Sequence, residues 1–134
     1  MIGRFPGAPH LTPELLLQVL DLPLSFHRCL VPITGSVTAA LWLSQAIYTT
    51  QELDPMLDGW FTKSLDEWRE DTGLSRWEQQ TARRVLREAG FLEERRFGVP
   101  AKLCYRVHPE RIGRALIERT AADAADARDA RELR

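Results

Sequence analysis

The stretch SLDEWREDTGLSRWEQQTARRVLREAG, Ser64 to Gly90, decides the fold. Ser64 is followed three positions on by Glu67, and Ser75 three positions on by Glu78. This is the spacing of a capping box, in which serine and glutamate satisfy each other's free backbone amides, so each serine opens a helix. Gly73 and Gly90 end the two helices, because glycine enters a left-handed cap without steric cost, and Leu74 points back to the core. Leu65 and Trp68 share the buried face of the first helix. On the second, Ala82, Val85, Leu86 and Ala89 recur at helical spacing. Two capped helices joined by a tight glycine-containing turn form a helix-turn-helix unit.

Upstream lie 23 consecutive uncharged residues between Arg28 and Glu52, enough to span a bilayer. Pro32, Gly35 and several hydroxyl and amide side chains interrupt them, and the best apolar run, Val37 to Tyr48, is too short. A buried helix from Gly35-Ser36 to about Thr50 is expected instead, apolar on nearly all sides and therefore sandwiched at the centre of the fold. Trp60 to Lys63 reads as a short strand. Beyond Gly90 the period shifts toward two, so FLEERRF and KLCYRVH should pair as a hairpin across Gly98-Val99-Pro100-Ala101. Helix, short strand, helix, turn, helix and hairpin is the order of a winged helix-turn-helix domain over residues 36–108, a mainly α fold with a small β hairpin (α+β).

Residues 1–35 form an N-terminal extension. Thr12 is the expected cap of a short helix, Pro13 its first position, and LLLQVLDL runs to a stop at Pro23. SFHRCLVPIT reads as an apolar, partly β-like connector. Residues 109–134 read as a C-terminal helix and tail anchored by Ile112, Leu116 and Ile117. From Thr120 the tail is rich in Ala, Asp and Arg, with Leu133 as one late apolar residue, and is free to fray or extend into solvent.

The chain has 134 residues, 44% hydrophobic and 28% charged, with net charge −1, which fits one globular domain and excludes disordered, collagen-like and disulfide-dense classes. Cys29 and Cys104 are expected as reduced, partly buried residues of a cytoplasmic protein. The amino terminus, with two prolines in its first nine residues, does not read as a signal peptide, and no membrane span is expected. His10, His27 and His108 stand apart from one another, no glycine-rich phosphate loop occurs, and Asp66, Glu67, Glu70 and Asp71 read as a solvated helix face. No enzymatic role, cofactor or metal is therefore expected.

Charge is unevenly placed. Residues 1–59 carry two basic and five acidic residues, whereas residues 76–106 carry eight basic and four acidic. That excess falls on the third helix and the hairpin, the two elements a winged helix lays against DNA. With Ala82, Val85, Leu86 and Ala89 inward, the opposite stripe holds Arg76, Gln79, Gln80, Arg83, Arg84 and Arg87. Glutamine can pair bidentately with adenine and arginine with guanine, so this stripe is chemically able to read a major groove. Arg95 and Arg96 precede the hairpin tip and Lys102 follows it, where cations would meet a minor groove or flanking phosphates. The competing reading is a solvated face with Glu-Arg pairs such as Arg84 with Glu88. Trp77 either packs under the turn or meets the sugar-phosphate backbone.

The run from Gly59 to Val107 resembles the winged helix-turn-helix proteins of phages, plasmids and integrated elements, including the DNA-binding domains of replisome organisers and replication initiators. The pieces that carry the likeness are the GWF strand, the TGLSR turn, the EQxTAR stretch, the GVPAKLxYR wing and the upstream GSVTAALWLSQAIY helix. The resemblance implies that Ser75 to Arg87 is a recognition helix and Arg95 to Lys102 a wing. Double-stranded DNA is then the partner, bound sequence-specifically in transcription regulation or DNA replication. Replication proteins of this kind usually add a second domain, and here only a helical tail follows, which favours a small DNA-binding factor or an accessory protein. The alternative is a winged-helix adaptor that docks a replication or defence complex through its apolar N-terminal extension without binding DNA. A homodimer or a replication or regulatory protein is a further expected partner.

Overall fold

A computed structural model describes residues 10–134. The order of elements is α1 (Pro13–Val19), α2 (Leu30–Thr34), α3 (Val37–Gln51), a 3-10 turn at Pro55–Leu57, α4 (Leu65–Thr72), α5 (Arg76–Glu88), β1 (Leu92–Phe97), β2 (Lys102–Val107) and α6 (Pro109–Glu132). The fold is α+β, mostly helical, with one two-stranded antiparallel sheet.

At its centre, α3 is opened by Ser36, whose side chain accepts the amide of Ala39. Ala39, Ala40, Trp42, Leu43, Ser44 and Ala46 are buried, while Val37 and Tyr48 at its ends face solvent. Small residues let neighbouring backbones approach, and Trp42 fills the space they leave. Its ring stacks on Trp68 of α4 at 4.2 Å between centroids and meets Tyr105 of β2 edge-on at 5.4 Å. Phe61 completes this aromatic core. Burial of such rings is the largest apolar contribution available to a domain of this size.

The connector before α3 is helical rather than β-like. Leu30 is buried, and Val31 and Ile33 pack against the core, which one helical turn allows. Pro32 is tolerated there because early helical amides have no intrahelical acceptor. Gly35, at φ 70°, ends α2 by donating its N–H to the Val31 carbonyl. Cys29, just ahead of Leu30, is exposed rather than partly buried, and Cys104 is half-buried. Both are free thiols.

Both capping boxes form as the sequence spacing requires, Ser64 with Glu67 and Ser75 with Glu78. Gly73 closes α4 at φ 74°, and Leu74 is buried between the helices. The short strand expected at Trp60 to Lys63 reduces to a single bridge: Phe61 and Tyr105 exchange both backbone hydrogen bonds, at 3.0 and 2.7 Å. The next rung is replaced, because Thr62 reaches the Leu103 carbonyl with its hydroxyl, at 2.8 Å.

The hairpin pairs Leu92 with Val107 through to Phe97 with Lys102, leaving Gly98 to Ala101 as its loop. Ile112 of α6 is buried and Ala115 and Leu116 pack beside it, but Ile117 is exposed and is not an anchor, because it lies off the stripe that contains Ile112 and Leu116. The helix continues past Thr120 to Glu132 with almost every residue exposed. α1 buries nothing. Among the described residues no helix is long and apolar enough to cross a membrane.

Candidate functional site

α5 and the hairpin flank a cleft of about 500 Å³. Arg76, Gln80 and Arg83 line it from α5, Arg96 and Lys102 from the hairpin, and Lys63 from the segment before α4. Five of these six are cations. One carboxylate, Glu67, also reaches the cleft, where it accepts the Ser64 amide in its capping box and keeps its charge. The lining is net positive, with the charges of Lys63 and Arg83 partly offset by Asp71 and Glu94.

Strand geometry decides which hairpin cations take part. Successive residues point to opposite faces, so Arg96, paired with Leu103, turns toward α5, while Arg95, paired with Cys104, turns away. Arg95 lies over the Trp60 ring at 5.2 Å and donates to Glu93 at 2.9 Å. Arg106 also lies over Trp60 and bonds Glu93 and Asp58. Burial pushes the Glu93 carboxyl up, but the hydrogen bond and charge of Arg106, with Arg95 and His108 nearby, outweigh it and hold the group below the usual range. The base of the hairpin is thus neutralised and its tip is not.

On α5 the sequence-expected residues divide in the same way. Arg83 is half-buried, donates to the Tyr105 hydroxyl at 2.9 Å and stands 3.6 Å from Glu94. Arg87 donates to Glu94 at 2.6 Å. Arg76, Arg84, Arg96 and Lys102 are exposed, and among the described residues no carboxylate pairs with any of them. The Arg84 to Glu88 pair of the competing solvated-face reading is not among the ion pairs of the described residues. Ser75 accepts the Glu78 amide and so acts as the cap of α5. The Ser75 backbone and side chain hold the Glu78 carboxyl below its usual range.

Two residues differ from expectation. Gln79 does not face outward: it is 1% exposed, and its amide nitrogen donates to the carbonyls of Leu65 at 3.1 Å and Leu74 at 3.0 Å. Position 79 precedes Ala82 and Leu86 by three and seven residues, on the buried stripe, so Gln79 ties α5 to α4 and cannot meet a base. Trp77 does not pack under the turn. It is 72% exposed, on the stripe it shares with Gln80 and Arg84. Lys63 is a cleft residue the sequence did not single out; its ammonium bonds Asp71 and lies over the Trp68 ring. Its position directly before a capping serine was the available signal.

The structure therefore brings Arg76, Gln80, Arg83, Arg96 and Lys102 together. It leaves Arg84 exposed elsewhere on α5, holds Arg87 on Glu94, turns Arg95 to the opposite face and buries Gln79. Among the described residues no group of three or more His, Cys, Asp or Glu side chains is arranged to hold a metal ion. Compared with known families, curated proteins and solved structures, the chain matches none.

Proposed function

We propose that this chain is a sequence-specific double-stranded DNA-binding protein with a winged-helix arrangement, in which α5 enters a major groove and the hairpin lies on the flanking backbone. The element order, with a bridged segment, two capped helices at a glycine turn and a following hairpin, supports the winged-helix reading. The observation that carries the DNA reading is the set of exposed, carboxylate-free cations at Arg76, Arg84, Arg96 and Lys102, two on the helix and two at the hairpin tip. Unpaired surface cations at this density repel one another, and phosphates relieve that repulsion while releasing counterions.

In this reading Arg96 and Lys102 hold phosphates, Arg83 supports the cleft from its bond to Tyr105, and Arg76 and Gln80 read base edges from the first turns of α5. Trp77 meets sugar or thymine methyl groups beside them. The biological setting we propose is transcription control or replication of a mobile element. A double variant, Arg96→Ala with Lys102→Ala, should weaken binding to all duplexes alike in fluorescence anisotropy, whereas Gln80→Ala should flatten preference among sites selected from a random pool. Unchanged affinity in the double variant would remove the hairpin from the interface.

A second reading, an adaptor that binds protein rather than DNA, is favoured by the exposed leucines of α1. Absence of any salt-sensitive DNA binding at low ionic strength would select it.

A further inference from the structure

The tip half of the hairpin stands clear of the core. Leu92, Tyr105 and Val107 at its base are buried, whereas Arg95, Arg96, Phe97 and Lys102 are exposed. A two-stranded hairpin is marginally stable by itself in water, so the direction of this tip depends on what its outer face and free edge meet. Arg96 and Lys102 belong to the same half, one beside Phe97 along the chain and the other across from it.

The segment Asp58 to Thr62 supplies those contacts. Asp58 accepts a hydrogen bond from Arg106 at 2.9 Å. Asp58 and Gly59 both have positive φ, at 51° and 80°, and they turn the chain back beneath the hairpin. Gly59 is required there twice over: its φ disfavours a side chain, and a Cβ would stand 3.3 Å from the Arg106 stem. The Trp60 ring then carries the guanidinium of Arg106 at 4.7 Å and that of Arg95 at 5.2 Å, and it meets Phe97 edge-on at 5.2 Å. Phe61 and Thr62 hold the free edge of β2, through the bridge to Tyr105 and the bond to the Leu103 carbonyl.

Arg95, Phe97 and Arg106 share the hairpin face turned away from α5. Both arginines there are bonded to carboxylates, Arg95 to Glu93 and Arg106 to Glu93 and Asp58. A direct phosphate contact from either would break an ion pair, so their charge is spent on Trp60 and on one another's partners. We infer that Trp60 is a positioning residue: gripped by Arg95, Phe97 and Arg106, it fixes the angle between the hairpin tip and α5 and so sets where Arg96 and Lys102 meet the duplex. This inference rests on the DNA reading. Exposed cation-π contacts are individually weak, so loss of the ring loosens the tip and leaves the core intact.

Fluorescence anisotropy on one duplex, together with amide hydrogen exchange on the free protein, tests it. Trp60→Ala should speed exchange at residues 95–97 and 102–104 about tenfold while α3 stays protected as in the wild type. It should weaken duplex binding about tenfold, the loss of two exposed cation-π contacts. In the Arg96→Ala, Lys102→Ala background the same change should cost less than about twofold, because Trp60 acts through those cations. Trp60→Phe, which keeps a ring against both guanidiniums, should recover most of the affinity. Arg95→Met, which removes the charge but keeps a stem on the ring, should leave the salt slope of binding unchanged. A tenfold loss that recurs in the double variant, or a shallower slope in Arg95→Met, would place Trp60 or Arg95 on the DNA and overturn the inference. Unchanged tip exchange in Trp60→Ala, with duplex binding intact, would overturn it while the DNA reading stood. A wild-type chain that binds no duplex would defeat the DNA reading itself, and the positioning role with it.

Discussion

Replacing Gln79 by leucine gives a direct stability test of the α4–α5 junction. The side chain is buried, and its amide nitrogen donates to Leu65 and Leu74 carbonyls from one end of α4 and from the turn. Leucine has similar volume, so the cavity contribution is small and the loss is that of two hydrogen bonds. Each contributes about 1 kcal/mol net, and the Leu74 carbonyl, buried and left without its donor, adds to the cost. The buried Gln79 carbonyl oxygen has no partner, and its removal offsets part of that loss. The expected destabilisation is about 2 kcal/mol, a fall in Tm on the order of 8 °C for a chain of this size. Urea unfolding followed by tryptophan fluorescence measures it, since Trp42 and Trp68 stack in the adjoining core. Gln80→Leu, at an exposed position one residue on, should change stability by less than about 0.5 kcal/mol. If Gln79→Leu left stability unchanged and instead lowered DNA affinity with normal folding, the clamp would be refuted and the residue would belong to the binding face.

The remaining predictions concern charge. Burial holds the Tyr105 hydroxyl above the usual phenol range, with Arg83 opposing. A group whose folded value is raised loses its stabilising contribution as pH rises, so stability should fall from about pH 10 upward, and Tyr105→Phe should flatten that fall in alkaline unfolding curves. Tyrosinate absorbance attributable to Tyr105 within the ordinary phenol range would contradict it. Glu94→Gln removes the carboxylate that holds Arg87 and stands by Arg83, and should tighten DNA binding several-fold while steepening its salt dependence by about one unit of slope. Weaker binding would mean that Glu94 positions those arginines rather than neutralising them.

The parts of the fold legible in the sequence are those set by local chemistry. The two capping boxes, the left-handed glycine at Gly73 and the hairpin bounded by Gly98 are each specified within a few residues, and each forms. Elsewhere helical position outweighs residue type. Polarity suggests an outward Gln79, yet positions 79, 82 and 86 form one buried stripe, and size suggests a core place for Trp77, yet it lies off that stripe. The β-like reading of the α2 segment followed its β-branched residues, which tertiary packing on α3 overrides. At the candidate site, the charge excess of residues 76–106 was visible, but its division was not. Which arginines remain free depends on Glu93 and Glu94 standing on opposite faces of β1 and on contacts between Tyr105 and Arg83, more than twenty positions apart.

The central claim, that the free cations of α5 and the hairpin tip bind DNA phosphates, is tested most directly by the salt dependence of duplex affinity. With Arg76 on base edges, phosphate contacts from Arg84, Arg96 and Lys102 predict a log-log slope of roughly −2.7, about a fortyfold loss of affinity between roughly 50 and 200 mM salt, and a slope shallower by nearly two in the Arg96→Ala, Lys102→Ala variant. Affinity that does not change with salt, or a slope the double variant leaves untouched, would contradict it.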